Sequence, residues 1–384
     1  MRKIRVLFPY VEAGMGHIMP MKSIEETFRK KYGDRVEVIS SNFFTDSGNR
    51  NMIEYEKMLA RQVKLYNKLP FIGFTGTAAC EFFGTTLSSF FSIRGLTPFA
   101  FKNSVEYMEK LKPDVVVSTH WVTNYYANSL KNRPLTVMYC PDAKLNKLFE
   151  YKSDLTLIST PSGYADAIKK RKYSEENIKE VPFLIRNEAF KIGLDKREIR
   201  RKLGLPEDNF TVLIAEGGYG IGKIENLTKR LAEKNIPLTV IPVCGTNEKL
   251  YRRMCELKSS SAVTLKPYGF ADNILELHAA SDIFCGKSGN ILAESTFFGN
   301  PAVITHFANS IEQSIAKHYI NTVGCAIKEF SPKKAAQLIC DFAQDKKDIT
   351  PYSKAALRFH EHFGSSAAAD AVFERIKETF KEVS

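Results

Sequence analysis

Short runs of consecutive apolar residues, each closed by glycine or polar residues, recur along the whole chain. In the first half they are KIRVLFPY (3–10), RVEVIS (35–40), DVVVSTH (114–120) and LTVMYC (135–140). In the second half they are FTVLIAEGG (210–218), LTVIPVCG (238–245), AVTLKPYG (262–269), SDIFCGKSG (281–289) and NPAVIT (300–305). Amphipathic stretches such as MKSIEETFRKKYG, which ends at Gly33, separate them. Continuous apolar strands alternating with helices predict parallel sheets covered on both faces, and two such series predict two doubly wound α/β domains. The join falls in EVPFLIRNEAF (180–190), giving one domain over 1–185 and another over 186–360. Residues 361–384 end in a helix with Ala368, Val372, Ile376 and Phe380 at four-residue spacing, expected to pack back on the first domain.

Residues 54–101 break this pattern. Lys57, Arg61, Lys64 and Lys68 fall on one face of a predicted helix, and a Phe-rich stretch follows in which Phe83, Leu87, Phe90 and Phe91 share a helical face. Glu81 and Arg94 interrupt it, and no run reaches the roughly 18 apolar residues that a membrane-spanning helix needs. Two readings stand: helices packed on the sheet, or an interfacial element whose basic stripe meets anionic lipid while the aromatics enter the headgroup boundary.

Composition narrows the picture. The 384 residues are 44% hydrophobic and 26% charged, the balance of an ordinary folded protein. Seven scattered cysteines without CxxC spacing read as reduced thiols rather than a disulfide frame or zinc site, as expected of a cytosolic protein. MRKIRVLFPY has too short an apolar run for a signal peptide and reads as the first strand. The net charge is +12, and residues 1–185 hold 27 Lys and Arg against 19 Asp and Glu. Such a basic half favours an anionic partner: nucleic acid, an acidic membrane surface or a phosphorylated ligand. No basic-aromatic recognition motif accompanies the charge, which argues against nucleic acid.

Three glycine loops sit where an α/β fold puts its ligands, after the carboxyl ends of strands. GMGH (14–17) places Gly16 and His17 before a helix expected to begin near Pro20, and the imidazole can take a proton near neutral pH. EGGYGIGK (216–223) offers Gly217, Gly218, Gly220 and Gly222 to a pyrophosphate; it is not a Walker A loop, because the spacing fails and no Ser or Thr follows Lys223. GKSGNILAESTFFGNP (286–301) precedes a helix carrying Glu294, a carboxylate able to accept both hydroxyls of a ribose or, in the blander reading, a surface glutamate.

These residues resemble a known family. VPFLIRNEAF, KREIRRKLGLPEDNFTVLIAEGGYGIGK, LTVIPVCGTNEKLYRRM and YGFADNILELHAASDIFCGKSGNILAESTFFGNPAVI resemble the carboxyl-terminal domain of family 28 glycosyltransferases. The likeness extends from the MurG type to the monogalactosyldiacylglycerol synthases and processive diacylglycerol glucosyltransferases. EAGMGHIMPMKSIEETF, LYNKLPFIGFTGTAACEFFGTT and VVVSTHWVTNYYA resemble that family's amino-terminal segments. The resemblance implies the GT-B fold, two Rossmann-like domains facing each other across a cleft that holds the active site. It also implies UDP-glucose or UDP-galactose as donor, diacylglycerol as acceptor, and a peripheral place on the cytoplasmic face of the cell membrane. By the same resemblance Gly16, Gly217, Gly218 and Gly220 face the donor, Phe270 packs near the base, and Ser288, Gly289 and Asn290 contact phosphate. Glu294 then takes the ribose, Glu312 and Gln313 the sugar hydroxyls, His17 the role of acceptor base, and His120 and Asp142 the acceptor side. The chain departs from the family at GMGHIMPM, at Lys287-Ser288-Gly289-Asn290 and at Ala308-Asn309-Ser310.

The implied reaction is an inverting displacement in which His17, oriented by Glu12 or Asp142, removes the acceptor proton. Backbone amides and helix N-termini stabilise the departing diphosphate. No DxD pair stands in the second half, so no metal cofactor is expected. The rival readings are a MurG-like enzyme with a prenyl-linked acceptor, a nucleotide-sugar epimerase, and a nucleic-acid-binding module.

Overall fold

The computed structural model describes residues 2–12, 15–83, 90–95, 97–147, 153–171 and 173–381. Gly14 and Leu87 lie outside the described residues, and so does the side chain of Phe91. The chain divides into two compact units: Met1–Leu65 with Ile72–Arg186 and Gly364–Ser384, and Tyr66–Phe71 with Asn187–Phe363.

The strands of the first unit are β1 (Arg5–Tyr10), β2 (Glu37–Asn42), β3 (Val115–Ser118), β4 (Leu135–Cys140), β5 (Leu155–Ile158) and β6 (Ile178–Glu180). Those of the second are β7 (Phe210–Ala215), β8 (Leu238–Val243), β9 (Val263–Leu265), β10 (Ile283–Lys287), β11 (Ala302–His306) and β12 (Ala326–Lys328). Along the chain the helices begin with α1 (Met15–Tyr32), α2 (Arg50–Lys68), α3 (Pro70–Phe83), α4 (Pro98–Leu111), α5 (Trp121–Ala127) and α6 (Pro161–Arg171). They continue with α7 (Lys196–Lys202), α8 (Ile224–Ala232), α9 (Glu248–Glu256), α10 (Ile274–Ala280) and α11 (Asn290–Phe297). The last are α12 (Ser310–Lys317), α13 (Pro332–Ala343), α14 (Thr350–Arg358) and α15 (Ser366–Thr379).

All strand pairs are parallel, in the orders β2-β1-β3-β4-β5-β6 and β12-β11-β10-β7-β8-β9. Parallel pairing explains the continuous apolar runs, because both faces of each sheet are covered. Along β1, Val6 and Phe8 enter a core with Phe28 and Val372, while Leu7 between them enters another with Phe44 and Tyr126. In each sheet the strand order reverses once, between β1 and β3 and between β7 and β10. An open α/β sheet binds its ligands at the carboxyl ends of such a pair.

The last helix belongs to the first unit. Ala368, Val372 and Ile376 of α15 are buried beside Phe28 of α1, and Tyr32 stacks on Phe373 at 3.9 Å. The Tyr32 hydroxyl donates to Asp370 at 2.5 Å; burial and this carboxylate push its pKa up to about 12. Helix α1 begins at Met15, not near Pro20, so His17 stands in its first turn rather than in a loop. Pro20 is tolerated one turn in, at the cost of the hydrogen bond its missing N–H would have made to the carbonyl four residues back.

The described residues of 54–101 are mostly helical. Met52, Tyr55 and Leu59 of α2 enter the core, and Lys57, Arg61, Lys64 and Lys68 are exposed. Lys57 also pairs with Glu54 at 2.8 Å. Helix α3 is described as far as Phe83 and a π-helical turn spans Phe90–Gly95, and the stretch expected to join Phe83 to Phe90 on one face lies outside the described residues. Among the described residues, fourteen large apolar side chains are exposed, and eight of them lie between Leu65 and Phe99. Phe71 and Phe82 are about four-fifths exposed, and Phe83 and Phe90 about half.

Candidate active site

In the first unit the strand reversal brings together residues a hundred positions apart. The chain leaves β1, enters α1 and sets His17 against Thr119 at the end of β3. His17 Nδ1 lies 2.7 Å from the Thr119 carbonyl oxygen, and Thr119 Oγ1 donates to the His17 carbonyl at the same distance. A carbonyl only accepts, so Nδ1 carries the proton and Nε2 the lone pair. Burial lowers the His17 pKa, with the Thr119 hydrogen bond working against it, which favours the neutral ring. His120 is buried with its ring centroid 4.7 Å from that of His17, edge to face. It caps α5 by accepting the Val122 amide on Nδ1, and burial followed by His17 holds its pKa well below the ordinary value. A Cβ built on Gly16 meets nothing within 4 Å, so a ligand can approach the main chain there.

On Nδ1 the partner of His17 is thus a main-chain carbonyl, where a carboxylate was expected. Glu12 is exposed and accepts from Asn42 at 2.8 Å, while its amide donates to the buried Glu56. Asp142, at the carboxyl end of β4, is buried and accepts from Asn146.

In the second unit the reversal between β7 and β10 gathers three glycine segments. Gly217 and Gly220 have φ of +82° and +57°, open to glycine without strain. A Cβ on Gly220 would stand 1.9 Å from the Cys244 carbonyl oxygen, and one on Gly245 would stand 2.3 Å from that of Gly218. The loop 216–220 is therefore pressed main chain to main chain against the end of β8, where the Thr246 and Asn247 side chains also donate to the Gly218 and Gly220 carbonyls. Gly269, with the exposed Phe270 after it, lies beyond Gly245.

Across the reversal, β10 ends in Lys287, followed by the buried Ser288 and by Gly289, the N-cap of α11. A Cβ on Gly289 meets nothing within 4 Å, so the approach to the α11 N-terminus at Asn290 is open. Lys287 Nζ pairs with Glu312 Oε1 at 2.8 Å; Glu312 Oε2 accepts from the Ala308 amide and Ser288 Oγ donates to the Glu312 carbonyl. Gln313 follows on the first turn of α12. Glu294 is 4% exposed, which excludes the reading of a surface glutamate.

The predicted residues of this half thus stand at the reversal or on the helix leaving it, apart from Phe270, beyond β9, and Glu312 and Gln313, on α12 after β11. Sequence reasoning passed over Thr119, Lys287, Glu216 and His306. Thr119 and Lys287 lie inside motifs already quoted, but a main-chain carbonyl and a motif lysine carry no signal of their own partners. Among the described residues, no group of three or more His, Cys, Asp or Glu is placed to hold a metal ion. Among them, too, no helix is long and apolar enough to cross a membrane.

No family model matches the chain. It is 24% identical over 396 residues to monogalactosyldiacylglycerol synthase 1, chloroplastic, of Arabidopsis thaliana, covering 97% of this chain and 70% of that protein. To synthase 3 of the same plant it is 21% identical over 397 residues, covering 97% and 80%. Among solved structures, MurG of Acinetobacter baumannii superposes with a TM-score of 0.59 at 14% identity, over 97% of this chain and 99% of that one. The MnaA–UDP structure of S. aureus gives 0.62 at 13%, over 99% and 97%. HepE of Anabaena in complex with UDP-glucose gives 0.55 at 14%, over 98% and 100%. Two six-stranded parallel sheets, each with a ligand-ready reversal, make this a GT-B protein. The likeness to the synthases over nearly the whole chain supports a relationship to the GT28-like glycosyltransferases.

Proposed function

We propose that the chain transfers a hexose from a UDP-sugar to the free hydroxyl of 1,2-diacylglycerol, with inversion, at an anionic membrane surface. The donor belongs to the second unit: the diphosphate faces Gly217, Gly218, Gly220 and the open N-terminus of α11, with Lys287 to offset its charge, and Glu294 receives the ribose hydroxyls. Glu312 and Gln313 face the hexose. The relatives' names and the UDP and UDP-glucose held by structural neighbours support this assignment.

The acceptor belongs to the first unit. His17 Nε2 takes the hydroxyl proton as the acceptor oxygen bonds to the anomeric carbon and the bond from that carbon to the diphosphate breaks. Thr119 holds the tautomer that leaves Nε2 able to do so.

The observation that carries the lipid acceptor is the exposed apolar run from Leu65 to Phe99 beside the basic stripe of α2. So much exposed apolar surface in one segment marks an interaction site, and Lys57, Arg61, Lys64 and Lys68 select an anionic one. The test is a labelled UDP-glucose and UDP-galactose assay with diacylglycerol in mixed micelles, with and without EDTA. Glycolipid formed equally in chelator supports the reading and its metal-free chemistry. Transfer only to a prenyl-linked acceptor moves the chain to the MurG-like alternative, and loss in EDTA overturns the metal-free step.

A further inference from the structure

Beneath the glycine loop of the second unit lies a polar cluster that the mechanism above does not use. Glu216, directly after β7, is almost wholly buried. Its Oε1 accepts from Thr305 Oγ1 at 2.6 Å and its Oε2 from His306 Nδ1 at 3.2 Å. Thr305 and His306 end β11, and β10, the strand between β7 and β11, pairs Gly286 with Ala215 and Ile304, the residues just before Glu216 and Thr305. A Cβ on Gly222 would fall 2.6 Å from Glu216 Cδ, so the loop closes over the carboxylate. His306 is paired in register with Lys287, the residue bound to Glu312.

The carboxylate accepts on Nδ1, so in its neutral form the ring of His306 carries its proton there and presents Nε2 as an acceptor. The His306 side chain is nine-tenths buried, and among the described residues Nε2 has no hydrogen-bond partner. A buried acceptor left unpaired is costly, so such an atom is expected to find its partner in a ligand. Phosphate oxygens cannot donate to it; a sugar hydroxyl can.

We propose that His306 is a specificity-determining residue of the donor site, its Nε2 accepting a hydrogen bond from a hydroxyl of the transferred hexose, with Glu216 as the positioning residue that fixes its tautomer. This rests on the assignment of the second unit to the UDP-sugar. A site built around a hydroxyl discriminates against ligands lacking it, because its own polar atom is then stranded.

The test compares Kd values for UDP, UDP-glucose and UDP-galactose in the wild type, His306→Ala and His306→Gln by calorimetry, with melting temperatures alongside. The expected result is UDP affinity unchanged within twofold in both variants and a loss of about tenfold for at least one UDP-hexose in His306→Ala. Part of that loss should return in His306→Gln, whose amide oxygen can accept in place of Nε2. Equal losses for UDP and UDP-hexose would put Nε2 on the ribose or the base and overturn the proposal. So would unchanged hexose affinity in His306→Ala, even with a lowered melting temperature, since the cluster is then structural only. Failure of the wild type to bind UDP at all would instead overturn the donor assignment on which the inference stands.

Discussion

Replacing Gly289 by alanine separates ligand chemistry from folding at the donor loop. The added methyl meets no heavy atom within 4 Å, and the backbone there is extended, so the folded chain accepts it without rearrangement. Gly289 caps α11, and exchanging glycine for alanine at an N-cap costs at most about 1 kcal/mol. The methyl does occupy the approach to the first amides of α11. An oxygen hydrogen-bonded to an amide sits about 2.9 Å away, whereas against carbon it prefers about 3.5 Å or more. A phosphate pushed out by that difference forfeits one charge-assisted bond, about 1.5–3 kcal/mol, so UDP should bind roughly ten- to a hundredfold more weakly. Calorimetry with UDP measures this, and a thermal melt shows the fold intact. A UDP affinity within twofold of wild type would refute the placement of the diphosphate at this loop. Gly220→Ala is the opposite control: its methyl would stand 1.9 Å from the Cys244 carbonyl oxygen at φ +57°, so it should lower the melting temperature before any ligand is added.

His17→Ala should leave UDP binding intact and lower turnover by about 10²–10⁴-fold, as the loss of a general base does; turnover within a few fold of wild type would place the base elsewhere. Because burial depresses the His17 pKa, the base stays deprotonated below the ordinary imidazole value. The acid limb of kcat/KM should therefore fall below about pH 6.5, and a limb above that value contradicts the assignment. Glu294→Ala should weaken UDP by about 1.5–3 kcal/mol through loss of the ribose acceptor, and an unchanged Kd removes Glu294 from the site. Changing Lys57, Arg61, Lys64 and Lys68 together to Gln should remove about 1 kcal/mol each of attraction to anionic vesicles. Wild-type protein should sediment with such vesicles at low salt and be partly released at 1 M, where the Debye length is about 3 Å; equal sedimentation of the quadruple variant would show the stripe to be a solvated face.

Much of the architecture was legible because it is written in local patterns. The continuous apolar runs marked nine of the strands, but LTLI, IKE and AIK, which form β5, β6 and β12, are too short or too polar to stand out. The start of α1 was misplaced toward Pro20. A proline suits a first turn, and only the packing around His17 shows that helical hydrogen bonding begins earlier.

The sequence by itself determined the α/β class, the two series of strands, the glycine segments after them and the basic and aromatic segment between residues 54 and 101. These follow from side-chain size, periodicity and backbone freedom, all of them properties of neighbouring residues. Which strand lies beside which was decided only by the tertiary structure, because a crossover sets strand order without marking any residue. That order brings His17 to Thr119 and His120, and Glu216 to Thr305 and His306 across β10. It also buries Glu294, which periodicity alone could leave on the surface. The protonated nitrogen of His17, and with it its capacity as a base, rests on a carbonyl 102 positions away along the chain, and no local pattern could have named it.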